Sequence, residues 1–323
     1  MFTIVQQHTH AERILQRWRN LLLVLLLPLL LNACAVSSGE RVRDIAERRG
    51  FSESTEYADG FGLAVFRNNV VLGQGGALHI YLEGDGTPWL FGRIIATDPT
   101  PWNPLMLRLM SQDRQAAYYV GRPCYNGFAR QRICQRELWT RDRHGEVVVS
   151  AMAQVIERLF KRSGAASLHL YGHSGGGAMA MLLAPRLPQV AQVVTLAGNL
   201  NLSGWTRLHG YTPLSGSLDP AAQPALGAQI RQWHLAGAED KNVPPFLARP
   251  VVQRQADARL YVLAGFGHTG GWENVWGDVL AALRRGREPR FKDVGYSLWV
   301  SSDGGRQADP AVVPELSFPA SAE

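Results

Sequence analysis

A single serine, set among glycines between a strand pattern and a helix pattern, constrains the fold of this chain more than any other feature. In "SLHLYGHSGGGAMAMLL", residues 167–183, the alternating apolar residues predict a short strand, and the Ala, Met and Leu after the glycines have helical spacing. Gly172 and Gly175 flank Ser174 closely, and small residues allow a sharp turn where strand and helix approach each other. The pattern predicts that Ser174 lies at a strand-to-helix turn.

Strand and helix patterns alternate along most of the chain. Apolar strand patterns such as "ALHIYLEGDG" and "QVVTLAGN" are separated by amphipathic helix patterns such as "EVVVSAMAQVIERLFKRSG". This order predicts an α/β fold, with a mostly parallel sheet and helices on both faces. Residues 202–227, after the sixth predicted strand, are rich in Gly and Pro and too long for an ordinary connection, so we expect a small cap insertion there.

The N-terminus has the pattern of an export signal. Arginines precede an apolar run at 21–31, which is shorter than the roughly 20 residues that a membrane span needs. The following "LNAC" resembles the lipobox of bacterial lipoproteins, apart from the polar Asn32. The resemblance implies that Cys34 is lipidated and anchors the protein to the bacterial envelope, at the outer membrane facing the periplasm. Ordinary secretion, with Cys34 unmodified or removed, is the alternative.

These patterns suggest four regions. They are a signal peptide at 1–33, a tether and linker at 34–50, an α/β domain at 51–286 and a C-terminal tail at 287–323. Export also bears on Cys124 and Cys134, because closely spaced cysteines usually pair in an oxidising compartment. We expect a disulfide between them, with two free buried thiols as the alternative.

A base and an acid follow Ser174 in the chain. Asp240 ends the strand pattern "QWHLAGAED", and His268 ends "RLYVLAGFGH". The order Ser, Asp, His, with "GHSGG", "AGAEDKNVPP" and "GFGHTGGW", resembles the α/β-hydrolase superfamily over roughly residues 51–285. The resemblance implies that Ser174 is a nucleophile, His268 its base and Asp240 the acid that orients the base. Asp219 is the alternative acid, whereas Glu239 is expected to face away.

An acyl-transfer enzyme also needs N–H donors for the oxygen that becomes negative. In α/β-hydrolases, one donor is the residue after the nucleophile, here Gly175, and the other lies in the loop after an early strand. That loop is "YLEGDGTPW", with Glu83 where the family often has histidine. The second donor is therefore Asp85 or Gly84; we favour Asp85, whose side chain could equally be a turn former.

The substrate is less constrained than the chemistry. Several apolar residues predicted on loops are candidates for lining an acyl pocket or for fastening the cap: Trp89, Phe91, Trp102, Trp205, Leu208, Tyr211 and Trp272. His79, His169 and His234 lie within apolar strand patterns, and we interpret them as core residues. His173, beside the nucleophile, has no separate predicted role.

Composition and motifs exclude several function classes. The net charge is +6, but the basic residues are scattered, so we expect no nucleic-acid partner. No metal or cofactor motif occurs, and we expect neither. The sequence favours a hydrolase of carboxylic esters, with a small-molecule or lipid ester as substrate. A thioester, amide or peptide hydrolase and a non-catalytic binding lipoprotein are the alternatives; the oligomeric state is open.

Overall fold

The computed structural model describes residues 16–20 and 37–301. The chain divides into two compact units, Met1–Ser37 and Ser38–Glu323. Of the first unit, residues 16–20 are described as helical. The apolar run at 21–31 and Cys34 lie outside the described residues. None of the described helices has the length and hydropathy needed to cross a membrane.

The second unit alternates strands and helices. The strands are β1 (Ser52–Ala58), β2 (Phe61–Arg67), β3 (Ala77–Leu82), β4 (Trp89–Leu90), β5 (Ile94–Ile95), β6 (Ala117–Val120), β7 (Ser167–His173), β8 (Val190–Leu196), β9 (Arg231–Gly237), β10 (Ala258–Leu263) and β11 (Tyr296–Val300). The helices are α1 (Ser38–Arg48), α2 (Leu105–Met110), α3 (Glu146–Ser163), α4 (Gly175–Leu183), α5 (Leu202–His209), α6 (Pro245–Gln253) and α7 (Trp272–Arg285).

Nine of the described strands form one sheet in the order β1-β2-β6-β3-β7-β8-β9-β10-β11. Strands β6 to β10 in this order pair in parallel, whereas the β1–β2, β2–β6 and β10–β11 pairs are antiparallel. One hydrophobic core includes residues of α3, α4 and α6, and a second includes residues of α1, α2 and α7. Alternate residues of the central strands, such as Ile80 and Tyr81, belong to different cores. The predicted mostly parallel sheet with both faces covered is confirmed.

Three segments add to the expected organisation. Helix α1 lies within the segment predicted as tether and linker, and Val42, Ile45 and Ala46 are buried in the second core because their i, i+3, i+4 spacing forms one apolar face. Strand β11 lies in the predicted tail and pairs with β10, so the sheet extends past residue 286. The cap segment 202–227 is not wholly irregular, since it contains α5, whose first turn is capped by the Asn201 side chain.

Cys124 and Cys134 form the expected disulfide, with 5.6 Å between their Cα atoms. It closes the loop that follows β6. Cys124 is fully buried and Cys134 packs against the first core. Because Arg122 and Tyr125 lie on or beside this loop, the disulfide restrains residues that reach the carboxyl ends of the central strands.

Candidate active site

Ser174 occupies the sharp turn between β7 and α4. Its backbone has φ 52° and ψ −121°, a conformation that non-glycine residues rarely adopt. The turn is tight because a Cβ on Gly172 would overlap the carbonyl oxygen of Gly176, and one on Gly176 would overlap that of Leu82. The Ser174 N–H donates to the Leu196 carbonyl, and its own carbonyl accepts from Gly177. These contacts fix the strained strand-to-helix turn at which the sequence predicted Ser174.

The structure brings Ser174, His268 and Asp240 together. Ser174 Oγ lies 3.0 Å from His268 Nε2, and His268 Nδ1 lies 2.8 Å from Asp240 Oδ2. The Asp240 side chain is fully buried, whereas that of His268 is 19% exposed, so the ring remains open to the cavity. Asp240 and His268 lie on the loops after β9 and β10, beyond the ends of the strands. This arrangement places the predicted nucleophile and base at the carboxyl edge of the parallel sheet.

Backbone donors hold the acid in place. The N–H groups of Asn242 and Val243 each donate to Asp240 Oδ1 at 2.8 Å, which leaves Oδ2 for His268. The alternative acid, Asp219, instead accepts from the N–H groups of Leu202 and Ser203 at the start of α5. Asp219 thus binds the N-terminus of helix α5 in the cap segment and is not the partner of His268. Glu239 is exposed, as expected for a side chain that faces away from its neighbour.

His173 contacts the backbone of His268. Its Nε2 donates to the His268 carbonyl at 2.9 Å, and the Trp272 indole N–H donates to the same oxygen at 3.0 Å. Burial, and then the nearby His268, lower the pKa of His173 to about 4. His173 is therefore neutral near pH 7, so it adds no positive charge beside an imidazolium at His268.

The loop after β3 supplies N–H groups beside the nucleophile. Gly84 lies against Ser174, but its N–H donates to Glu83 Oε1 at 3.2 Å. Among the described residues, no hydrogen bond uses the N–H of Asp85 or that of Gly175. Because the Gly84 donor is already occupied, the geometry favours Asp85 over Gly84 as the partner of Gly175.

Glu83 occupies the position at which the family often has histidine, and it links two elements. Its second carboxyl oxygen accepts from the Met106 N–H at 2.9 Å, at the start of α2. Burial raises the pKa of Glu83 to about 7, although the N–H groups of Gly84 and Met106 oppose the shift. Glu83 thus connects the loop to α2.

A cavity of about 940 Å³ opens over Ser174 and His268. Three of the seven candidate apolar residues line it: Trp89, Trp205 and Tyr211. Trp272 is instead buried beneath His268, and Phe91, Trp102 and Leu208 are exposed at 92%, 52% and 47%. Trp205 and Tyr211 also pack against each other within the cap, with ring centroids 5.1 Å apart. The Trp205 indole N–H donates to Asn242 Oδ1 at 3.4 Å, which connects the cap to the loop after β9.

The remaining core histidines have ordinary partners. His79 Nδ1 lies 2.6 Å from Asp113, His169 lies 3.2 Å from the Tyr171 hydroxyl, and His234 lies 2.9 Å from the Thr195 hydroxyl. None of the three lines the cavity. Their interpretation as core residues agrees with their partners.

Sequence reasoning missed several residues around the cavity. Asn199, directly after β8, lines the cavity and is 2% exposed; its side-chain oxygen has no hydrogen-bond partner among the described residues. Arg122, Arg143 and His144 surround the Asp85 carboxylate. No spacing rule connects Asn199, Arg122 and the adjacent Arg143 and His144 with Asp85, because these segments are distant in sequence and meet only in the folded chain.

Comparison with known proteins defines the fold. No family model matches the sequence, and no curated protein matches it significantly. Among solved structures, puromycin hydrolase matches with a TM-score of 0.52 and 21% identity, over 76% of this chain and 41% of that chain. This likeness and the strand order identify the α/β-hydrolase fold.

Two further structures have lower scores. Est1E from Butyrivibrio proteoclasticus matches with a TM-score of 0.48 and 13% identity, over 72% of this chain and 98% of that chain. A membrane phospholipase A described as a bacterial virulence factor matches with a TM-score of 0.47 and 15% identity, over 83% and 97%. At these identities the comparison concerns the fold alone.

Proposed function

We propose that this protein is a serine hydrolase of carboxylic esters that acts through an acyl-enzyme intermediate on Ser174. The observation that carries the proposal is the hydrogen-bonded chain from Ser174 Oγ through His268 to the buried Asp240. Ser174 and His268 line a cavity, beside the N–H groups of Gly175 and Asp85, for which the described residues provide no acceptor. Nucleophile, base, orienting acid and oxyanion donors are the groups that acyl transfer requires.

In the first half of the reaction, Ser174 Oγ attacks the ester carbonyl carbon while His268 Nε2 takes the hydroxyl proton. The carbonyl oxygen becomes negative and accepts hydrogen bonds from the N–H groups of Gly175 and Asp85. Asp240 keeps the proton on Nδ1 of His268 and stabilises the imidazolium. The tetrahedral intermediate then expels the alcohol, which takes the proton from Nε2.

The second half releases the acid. A water molecule gives a proton to His268 Nε2 as its oxygen attacks the acyl carbon. The same two N–H groups stabilise the new negative oxygen, and Ser174 Oγ leaves with the proton from His268. The apolar walls formed by Trp89, Trp205 and Tyr211 suit an acyl chain or an aromatic group.

A substrate panel tests the reaction class. With p-nitrophenyl esters, thioesters and p-nitroanilides of the same acyl groups, we expect the esters to have the highest kcat/KM, measured at fixed pH and ionic strength. Ester hydrolysis releases an alcohol, whereas amide hydrolysis releases an amine and needs a site that binds it. The sequence displays no pattern for such an amine site. Preference for the anilides would replace this proposal with an amidase.

We also propose that Cys34 carries lipid and tethers the enzyme to the outer membrane on its periplasmic side. The support comes from the apolar run and "LNAC" junction in the sequence, and the Cys124–Cys134 disulfide is compatible with an oxidising compartment.

Cys34→Ser tests the tether. In cells fed an alkyne-tagged fatty acid, we expect the wild-type protein to incorporate label and to fractionate with membranes. The variant should lose the label and appear in the soluble fraction, because the acyl chains supply the membrane affinity. Val36→Ser, at a position near the junction, is the control and should retain label. Membrane association without any acyl label on the wild type would refute the tether.

A further inference from the structure

The carboxylate of Asp85 lies directly against the residue that follows the nucleophile. A Cβ on Gly175 would overlap both Oδ1 and Cγ of Asp85, so only glycine fits there. In the proposed reaction, negative charge develops at an oxygen bound by the N–H groups of these same two residues. An isolated carboxylate at this place would oppose that charge, since like charges repel strongly where water is excluded.

Two buried arginines offset this carboxylate. Arg122 Nη1 lies 2.9 Å from Asp85 Oδ1, and Arg143 Nη1 lies 3.1 Å from Oδ2. Their side chains are only 4% and 8% exposed. Burial alone would raise the pKa of Asp85, but His144, Arg122 and Arg143 outweigh it and hold that pKa below its ordinary value. Two guanidinium groups thus face the one carboxylate of Asp85 and offset its negative charge beside the oxyanion position.

The third neighbour, His144, does not change this balance. Burial lowers the pKa of His144 to about 4, so its ring is neutral near pH 7. Its Nε2 lies 3.0 Å from the Gly175 carbonyl oxygen, which can only accept, so Nε2 carries the proton. His144 therefore connects α4 to the cluster without adding charge.

The arginines are themselves held by the backbone. Arg143 Nε donates to the Thr140 carbonyl at 2.6 Å, and Arg122 Nη2 lies 3.4 Å from the Glu83 carbonyl. The Tyr125 hydroxyl donates to the Asp85 carbonyl at 3.0 Å. Asp85 is thus held through both its carboxylate and its backbone carbonyl.

We propose that Arg122 and Arg143 are positioning residues of this active site. They hold Asp85 so that its N–H and that of Gly175 face the same oxygen, and they offset the negative charge of the Asp85 carboxylate. The proposal rests on the proposed serine hydrolase function and extends it to the residues that build its oxyanion site. It also assigns a role to the acidic side chain of Asp85, which serves as the anchor for the loop.

The test compares Arg143→Met, Asp85→Asn and the double variant with a soluble p-nitrophenyl ester. For Arg143→Met, we expect kcat to fall by about 10- to 100-fold, somewhat less than the loss of an oxyanion donor, with KM changed less than about threefold. Asp85→Asn keeps the N–H but loses the anchor, so its kcat should fall similarly. Both changes break the same ion pair, so their effects should not multiply. The kcat of the double variant should lie within about threefold of the kcat of the slower single variant.

Arg186→Met is the matched control. Arg186 pairs with both oxygens of Glu146 at the surface, so this change also removes an arginine–carboxylate pair, and its kcat should match the wild type. Arg143→Lys keeps the charge without the guanidinium geometry and should give a kcat between those of wild type and Arg143→Met. This variant serves if Arg143→Met does not fold.

Three outcomes would overturn the proposal. The first is a folded Arg143→Met variant that has a lower melting temperature but the wild-type kcat, which would indicate a purely structural role. If only Arg143→Lys folds, the same result in that variant counts. Another is multiplication of the two single losses in the double variant, which would indicate independent effects. The third is an equal loss in Arg186→Met. Failure of the proposed function is distinct, because the wild-type enzyme itself would then not hydrolyse the ester.

Discussion

Ser174→Ala is expected to abolish ester hydrolysis while leaving the fold intact. The loss of kcat/KM should be at least about 10⁴-fold, because no other group can form the acyl-enzyme intermediate. Stability should change little, since within residues 37–301 the Ser174 side chain makes one hydrogen bond, to His268, and its backbone contacts remain. We expect the melting temperature to stay within about 4 °C of the wild type.

A fluorophosphonate probe gives an independent readout of the same assignment. The wild-type protein should be labelled at Ser174, identified by peptide mass mapping, and Ser174→Ala should not be labelled. Ser163→Ala, at the end of α3, is the matched control and should behave as the wild type. If the folded wild type resists the probe, or if Ser174→Ala hydrolyses esters at the wild-type rate, the assignment is wrong and a binding protein becomes the better interpretation.

His268→Ala is expected to lose nearly as much activity as Ser174→Ala. Without the imidazole, nothing takes the serine proton or protonates the leaving alcohol, so kcat should fall by at least about 10³-fold. The double variant should be no slower than Ser174→Ala, because residues that act as one unit do not contribute independently. Asp240→Asn should lose somewhat less, as the imidazole can still act when misoriented part of the time.

Steady-state and single-turnover kinetics with p-nitrophenyl acetate can measure these losses. Trp276→Phe, remote in the second core, is a control for general loss of stability. The result that would contradict the prediction is a multiplicative loss in Ser174→Ala/His268→Ala, or His268→Ala with unchanged kcat. Either would show that His268 is not the base for Ser174.

Local patterns predicted the turn and the alternation of strands and helices well. The glycines around Ser174 and the strand and helix on either side are adjacent in sequence, so one short segment contains the whole signal. The order of Ser174, Asp240 and His268 came from a resemblance to a superfamily, and the structure brings the three side chains within hydrogen-bond distance. The pairing of Cys124 with Cys134 followed from spacing and compartment alone.

Other parts depend on contacts between distant segments. Arg122 and Arg143 have no pattern that relates them to Asp85, although both reach its carboxylate in the folded chain. Helix α5 begins in a segment rich in glycine, and it depends on the caps supplied by Asn201 and Asp219. Strand β11 lacks a fully buried face, so its sequence resembles a tail until it pairs with β10.

The position of β11 has a consequence for shortened forms of this chain. A sheet edge without a neighbour presents a row of N–H and C=O groups that can pair with the edge of another chain. Here β11 covers β10, and Ser301 closes the end of the pair through reciprocal bonds with Ala258 at 2.8 and 2.7 Å. A gene shortened after Gly286 would remove this cover and leave the apolar strand β10 open to intermolecular pairing. For recombinant work, the segment after α7 should therefore be kept, because β11 covers the edge of β10.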